Sequence, residues 1–249
     1  MKHSESIHRG GFTVWELVVV VLVLLLLAVL LLNMVPRGRN GRQEITCINN
    51  LKQIGMAVRL WSGDNGDRSP DQVPVGEGGL ANTNATKVPA WLAFQFFQVM
   101  SNELNTPKLV ICPQDQARLA AGAGAYSFHP NRPGARFDNL AVSYFVGGGA
   151  KEDYPQMLLS GDRNIYGPTT TPDSNDGYGN SPTNGSGARV VFGSKPSRVG
   201  WTSRIHRTVG NVALANGSVQ QLSSSGLIQA LNNSGDTNTV PGANVILFP

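Results

Sequence analysis

Histidine and cysteine are the scarcest of the chemically versatile residues in this chain of 249, which has four of the first and two of the second. The histidines are His3, His8, His129 and His206, and two of them fall within the first eight residues. That scarcity argues against a histidine-based metal or catalytic cluster. The two cysteines, Cys47 and Cys112, can pair only in an oxidising compartment. Charge is thin too: 14% of residues carry it and the formal balance is +4, too mild to argue for nucleic-acid binding. No basic patch interleaved with aromatics, no sugar-binding motif and no nucleophile beside a base is recognisable. No catalytic, cofactor-binding or metal residue is therefore assigned, no nucleic-acid partner is expected, and the chain reads as a non-enzyme.

What the chain does have is one long apolar run. Leu17 to Val35 is Val, Leu and Ala broken only by Asn33 and Met34, without a charge. With residues 12–16 added, a helix rising 1.5 Å per residue extends somewhat over ~30 Å, enough to cross a bilayer. A secretory signal peptide also places basic residues before an apolar core, but its core is shorter and ends in small residues at the cleavage site. Here the small residues, Gly10 and Gly11, stand ahead of the run, and its far end is Asn33-Met34-Val35-Pro36-Arg37. Outside the run the chain is rich in Gly, Ser, Asn and Thr, which suggests a modest core with long loops.

Glu16 lies at the start of this apolar region, where a carboxylate costs at least ~2.5 kcal/mol and needs a partner. A cut between Gly11 and Phe12 would create one, the free α-amino group of Phe12, whose charge methylation preserves. An anchor carrying its own amine and carboxylate can dock against another copy.

The stretch Arg9-Gly10-Gly11-Phe12-Thr13-Val14-Trp15-Glu16-Leu17 resembles the leader junction of type IV pilins and type II secretion pseudopilins: a Gly, an aromatic, Thr, two variable residues, Glu and Leu. Trp15 is bulkier than the aliphatic residue usual there. The resemblance implies cleavage between Gly11 and Phe12 and N-methylation of Phe12 by a prepilin peptidase/methyltransferase, with Glu16 recruiting subunits during assembly. The alternative is an uncleaved signal anchor with a chance glutamate. Arg37, Arg39 and Arg42 balance Lys2, Arg9 and the amino terminus in the positive-inside count, so orientation follows the cleavage motif: leader cytoplasmic, distal domain periplasmic. Removing the leader takes away Lys2, Arg9 and Glu5, lowering the net charge to +3 and leaving His129 and His206.

Pro36, Gly38 and Gly41 weaken helical propensity and predict a kink or melted turn, or else a solvated linker. From Gln43 onward Cys47, Ile48, Leu51, Ile54, Val58 and Trp61 recur at three- and four-residue steps, one apolar face of a helix that Ser62-Gly63-Asp64-Asn65-Gly66 should end. That face reads as core packing, with a partner-binding stripe as the alternative. The segment Cys47-Ile48-Asn49-Asn50-Leu51-Lys52-Gln53, the later Cys112-Pro113 and His206-x9-Asn216-Gly217 resemble a pilin-like subgroup with a C-terminal His-x9-Asp-Gly signature. The resemblance suggests a Cys47–Cys112 bond, against the alternative of two buried thiols. Here Asn216 replaces the signature's Asp, which removes any role needing a carboxylate.

Further along, a short helix is expected over Trp91 to Met100 and strands over Leu109 to Cys112, Ala141 to Val146 and Met157 to Leu159. A long loop is expected over 161–187, a hairpin with a two-residue type I′ turn at Asn216-Gly217 with Val212 and Leu214 on one face, and a helix capped by Ser223 to Ser225 and running to Leu231. Asp173, Asn175 and Asp176 could offer oxygens to a structural calcium, but their spacing is not that of an EF-hand, and a solvated loop is the simpler reading. No cofactor is assigned.

The expected fold is α+β and pilin-like: a long N-terminal helix, membrane-spanning in its first half, packed on a small antiparallel β-sheet domain with long loops. The expected segments are a leader at 1–11, a transmembrane assembly helix at 12–35, a neck and amphipathic helix at 36–63, and a globular domain at 64–249. The expected function is a structural subunit of a type IV pilus-like filament or type II secretion pseudopilus, seated by one pass in the inner membrane before it enters a periplasmic or extracellular filament. Its expected partners are the peptidase, homologous pilin or pseudopilin subunits, the inner-membrane assembly platform and the lipid bilayer. The alternative is a non-assembling anchored module that displays a periplasmic or surface binding domain.

Overall fold

The computed structural model describes residues 11, 13–32, 35–81, 92–121, 127–128, 137–170, 177–179, 187–193, 196–234 and 244–249. It divides into two compact units, Met1–Arg42 and Gln43–Pro249.

In the first unit, helix α1 covers Val14–Leu32, and Glu16 is its only charged residue. A helix apolar on every side has no face to turn toward water. Every side chain from Val14 to Leu31 is exposed, and this 18-residue window, with a mean hydropathy of 3.2, is long and apolar enough to cross a membrane.

Helix α2 runs from Val35 to Asp64. The melted turn or solvated linker expected at Pro36–Gly41 does not form. Pro36 falls in the first turn, where the missing N–H has no intrahelical acceptor to lose, and the helix continues through Gly38 and Gly41. From Gln43 the helix belongs to the globular unit. Cys47, Leu51, Ile54, Val58 and Trp61 are buried and Ile48 is half-buried, so the expected stripe forms core. The helix stops where the sequence placed its stop: Asn65 and Asp67 donate backbone N–H groups to Ser62 O, and Gly66 and Asp67 adopt positive φ.

Short helices α3 (Ala93–Val99), α4 (Ser101–Leu104) and α5 (Gln116–Ala121) follow. The strand expected at Leu109–Cys112 is instead a 3-10 turn over Pro107–Val110. Pro107 presets its first residue and the Thr106 side chain accepts from Lys108 N. The strands among the described residues are β1 Tyr144–Gly147, β2 Leu158–Asp162, β3 Ile165–Tyr166, β4 Ala188–Val191, β5 Gly200–Trp201, β6 Val209–Leu214, β7 Val219–Ser223 and β8 Val245–Phe248. The expected strand at Ala141–Val146 begins later, because Asn139–Ala141 forms a 3-10 turn capped by Asp138. The loop expected over 161–187 holds the end of β2, all of β3 and a 3-10 turn at Gly177–Gly179, buried except for the half-buried Tyr166 and Tyr178. Between β7 and β8, helix α6 (Ser224–Asn233) starts as expected, with Ser223 Oγ accepting from Gly226 N at 3.2 Å.

Six strands form one antiparallel sheet in the order β4-β8-β1-β2-β6-β7, and β3 pairs with β5. Alternation at period two sends Tyr144, Val146, Ala213, Val245 and Leu247 into one buried cluster with the α2 stripe. Phe145, Val212, Leu214, Ile246 and Phe248 enter a second cluster with Leu227 and Leu231 of α6. The sheet is thus buried on both faces, and the globular unit is an α+β domain built on a small antiparallel sheet.

The turn between β6 and β7 differs from the expected type I′ geometry. Leu214 N donates to Ser218 O and Gly217 N to Leu214 O, so residues 215–217 make a three-residue loop, and only Gly217 of the Asn-Gly pair has positive φ, at 81°. A glycine in the left-handed position closes such a loop without a Cβ clash.

Candidate functional site

Two places bring together residues singled out in the sequence. The first is the start of α1. Gly11 is exposed with open space around it, while residues 1–10 and Phe12 lie outside the described residues. Thr13 caps α1: its Oγ1 accepts from Glu16 N at 3.4 Å, while Glu16 Oε2 accepts from Thr13 N at 2.8 Å and from Thr13 Oγ1 at 3.0 Å. This reciprocal arrangement is a capping box, in which two donors left over at a helix start are satisfied. Thr13-x-x-Glu16 is the sequence signal for this box, present beside the charge that calls for a cation. The carboxylate therefore has a local partner as well as a charge.

The second place lies in the core of the globular unit, where α2, the segment after the 3-10 turn, β2 and the approach to β6 converge. Cys47 and Cys112 are joined by a disulfide across 65 residues, with their Cα atoms 5.1 Å apart. His206 Nε2 lies 3.4 Å from Cys112 Sγ and 3.4 Å from Asp162 Oδ2. A disulfide sulfur has no proton, so the imidazole nitrogen is the only donor toward it. Asp162 is held in turn by Asn211, whose backbone N and Nδ2 donate to Oδ2 at 2.6 and 3.1 Å. Burial pushes the Asp162 carboxyl up to about 6, against the opposing pull of His206 and the Asn211 hydrogen bonds. Burial, with the Asp162 charge added, also raises the Tyr144 phenol well above its usual range.

The backbone that presents His206 is unusual. His206, Arg207 and Thr208 have φ of 53°, 52° and 70°, three successive left-handed residues of which none is glycine. Each such residue costs of order 1–3 kcal/mol and persists only where its surroundings hold it. Asp162 Oδ1, His206 Nδ1 and Asn211 Oδ1 are buried without a hydrogen-bond partner among the described residues. His206 has no acidic neighbour along the chain; Asp162 arrives from β2, far earlier in the sequence.

The distal signature is used at both ends of β6. At its start His206 meets the disulfide that fastens α2, and at its end Arg59 of α2 donates through Nη2 to Asn216 O at 2.6 Å. A Cβ at Gly217 would come within 2.8 Å of Arg59 Nη1, so glycine also permits the close approach. Asn216 Oδ1 accepts from Ser218 N and Oγ at 2.9 and 2.7 Å, a task that its amide performs without a charge. His129, Asp173, Asn175 and Asp176 lie outside the described residues.

A cleft of about 340 Å³ opens beside Arg59, Asp67, Lys151 and Glu152. Four of its charges are matched in pairs, Arg59 with Glu152 at 2.6 Å and Lys151 with Asp153 at 2.9 Å. Comparison with family models, curated proteins and solved structures returned no match to this chain.

Proposed function

We propose that this protein is a pilin-like structural subunit, cut between Gly11 and Phe12, methylated at Phe12 and polymerised through its N-terminal helix into a type IV pilus-like filament or a type II secretion pseudopilus. The observation that carries the reading is the Gly11-Phe12-Thr13…Glu16 junction, which runs into the first turn of α1, an apolar helix whose side chains from Val14 to Leu31 are all exposed among the described residues. Such a helix needs lipid before assembly and other copies after it.

Hydrolysis of the Gly11–Phe12 amide releases a Gly11 carboxylate and leaves an ammonium on Phe12. That ammonium stands one residue before the N–H that Glu16 already accepts. The capping box holds the carboxylate at the helix start, where it can receive the amine of its own chain or of a neighbour. The orientation that follows is leader in the cytoplasm and globular unit in the periplasm.

A second feature supports packing between copies. On α2, Ile45, Met56 and Leu60 are 60%, 56% and 63% exposed. At 100° per residue they fall within roughly 60° of one another, on the side opposite the Cys47–Trp61 core stripe. The helix therefore keeps three large apolar side chains exposed, set among Asn49, Lys52 and Gln53, after the domain has folded.

Mass spectrometry of the mature protein from membranes tests the reading. The expected amino terminus is N-methylated Phe12, recovered also in sheared filaments. An intact Met1 or Lys2 in that material rules the proposal out.

A further inference from the structure

Going beyond the filament reading and independent of it, we infer that Cys47, Cys112, His206 and Asp162 form a zinc-class metal site when the disulfide is reduced, so that one locus can be fastened by either a covalent bond or an ion.

The donor set is the first argument. Two thiolates, an imidazole and a carboxylate are ligands that Zn²⁺ accepts in four-coordinate sites. The sulfurs of Cys47 and Cys112 and the imidazole nitrogen of His206 already lie within 4.8 Å of one another. Asp162 Oδ2 sits beside the same imidazole nitrogen.

The spacing is the second. With zinc bonds of about 2.3 Å to sulfur and about 2.0–2.2 Å to nitrogen and oxygen, tetrahedral geometry sets the S···N edge at roughly 3.6 Å and the N···O edge at roughly 3.4 Å. The observed separations are 3.4 Å for Cys112 Sγ to His206 Nε2 and 3.4 Å for His206 Nε2 to Asp162 Oδ2. Two edges of the coordination polyhedron thus exist before any metal arrives. The sulfurs must part to the roughly 3.8 Å that two zinc-bound thiolates require.

Support around the ligands is the third. Metal-bound carboxylates are themselves hydrogen-bonded, and Asn211 supplies two such bonds to Asp162. The left-handed run His206–Thr208 fixes where the imidazole stands. Asp162 Oδ1 and Asn211 Oδ1 are buried with lone pairs unused. A site whose acceptors outnumber its donors is suited to a cation.

The chemistry balances with a phosphine reductant. The phosphine takes an oxygen from water and becomes a phosphine oxide, while the S–S bond breaks and each sulfur gains a proton. One Zn²⁺ then displaces both thiol protons to solvent and completes its shell with His206 and Asp162.

The test uses the full chain in detergent micelles, treated with a phosphine that does not chelate metal and titrated with Co²⁺, then Zn²⁺. The expected result is one Co²⁺ per reduced chain with tetrahedral visible bands and thiolate-to-cobalt charge transfer. Zn²⁺ should displace it, and the disulfide-bonded chain should show neither signal. His206→Asn, chosen because asparagine tolerates positive φ, and Asp162→Asn should each weaken the metal at least tenfold, after circular dichroism of the oxidised variants has shown that they fold. If one variant does not fold, the other carries the comparison. A reduced wild-type chain that takes up no stoichiometric Co²⁺ overturns the site, whether it stays folded or unfolds and is not rescued by Zn²⁺. Binding that neither His206→Asn nor Asp162→Asn alters overturns it equally.

Discussion

His206 Nε2 lies 3.4 Å from Asp162 Oδ2, with both side chains sealed from solvent. Asp162 is an acid raised from 3.8 to about 6 by burial. Between those values the folded protein binds more protons than the unfolded chain, so this group's contribution to stability falls as pH rises from about 4 to about 6 and is flat outside that window. Two pH units correspond to about 3 kcal/mol. Urea unfolding of the disulfide-bonded protein at a series of pH values should show this decline as the difference between wild type and Asp162→Asn, the variant gaining relative stability as pH rises. Parallel curves from pH 4 to 6 would mean that Asp162 ionises freely in the core.

Glu16 does two jobs that one substitution can separate. Glutamine retains the oxygen that accepts from Thr13 N but has no charge, whereas alanine loses both. If assembly depends on the carboxylate meeting the Phe12 amine, Glu16→Gln and Glu16→Ala should both be processed and both fail to form filaments. Filament yield from sheared cells, scored beside leader removal, reads this directly. Normal filaments from Glu16→Gln would assign the residue to helix capping alone.

Local patterns carried the parts of the fold that follow from period and composition. The α2 stripe, its stop at Ser62–Gly66 and the Ser223 cap each lie within a few consecutive turns of chain, where spacing determines geometry. Leu109–Cys112 looked like a strand, but Pro107 and the Thr106 cap turned its start into a 3-10 turn. Strand β3 and the turn at Gly177–Gly179 sit in a stretch whose Gly and Asn content masks a buried path. The Asp162–His206 contact was not legible at all. It exists because β2 pairs with β6, bringing Asp162 to Asn211, and no spacing along the chain encodes that pairing.

The exposed face of α2 predicts a separation of function. Met56→Glu combined with Leu60→Glu places charge on side chains that are more than half exposed, so stability should move by no more than about 1 kcal/mol in total. Assembly, which would bury that face against another copy, should be lost. Thermal melts of the detergent-solubilised subunit and filament yield provide the two readouts, and unchanged filament yield removes α2 from the subunit interface.

Cys47 ties α2 to Cys112 across a long loop. Replacing both residues by alanine should lower the unfolding free energy by about 2–4 kcal/mol in the absence of metal, through the larger freedom of the unfolded chain. The measurement is the urea midpoint with its slope, compared with that of the disulfide-bonded protein. A midpoint that does not move would show that packing of Leu51, Ile54 and Val58 alone holds the helix.

Asp115 and Arg163 form a second buried charged contact, with Arg163 Nε and Nη2 donating to the two carboxylate oxygens at 2.7 and 2.8 Å and neither side chain more than 2% exposed. Removing one partner strands the other charge in the core. Asp115→Ala is therefore expected to cost about 3–5 kcal/mol, close to the stability of many domains. Replacing both, with Asp115→Leu and Arg163→Met, takes the two charges away together and should recover most of that loss. Arg163 Nη1 also donates to Gly179 O, but Arg118 Nη2 reaches the same oxygen at 3.1 Å, so the carbonyl stays paired in the double variant. Chemical denaturation of the two variants decides the matter: a double variant no more stable than Asp115→Ala would show that the pair contributes geometry which apolar packing cannot replace.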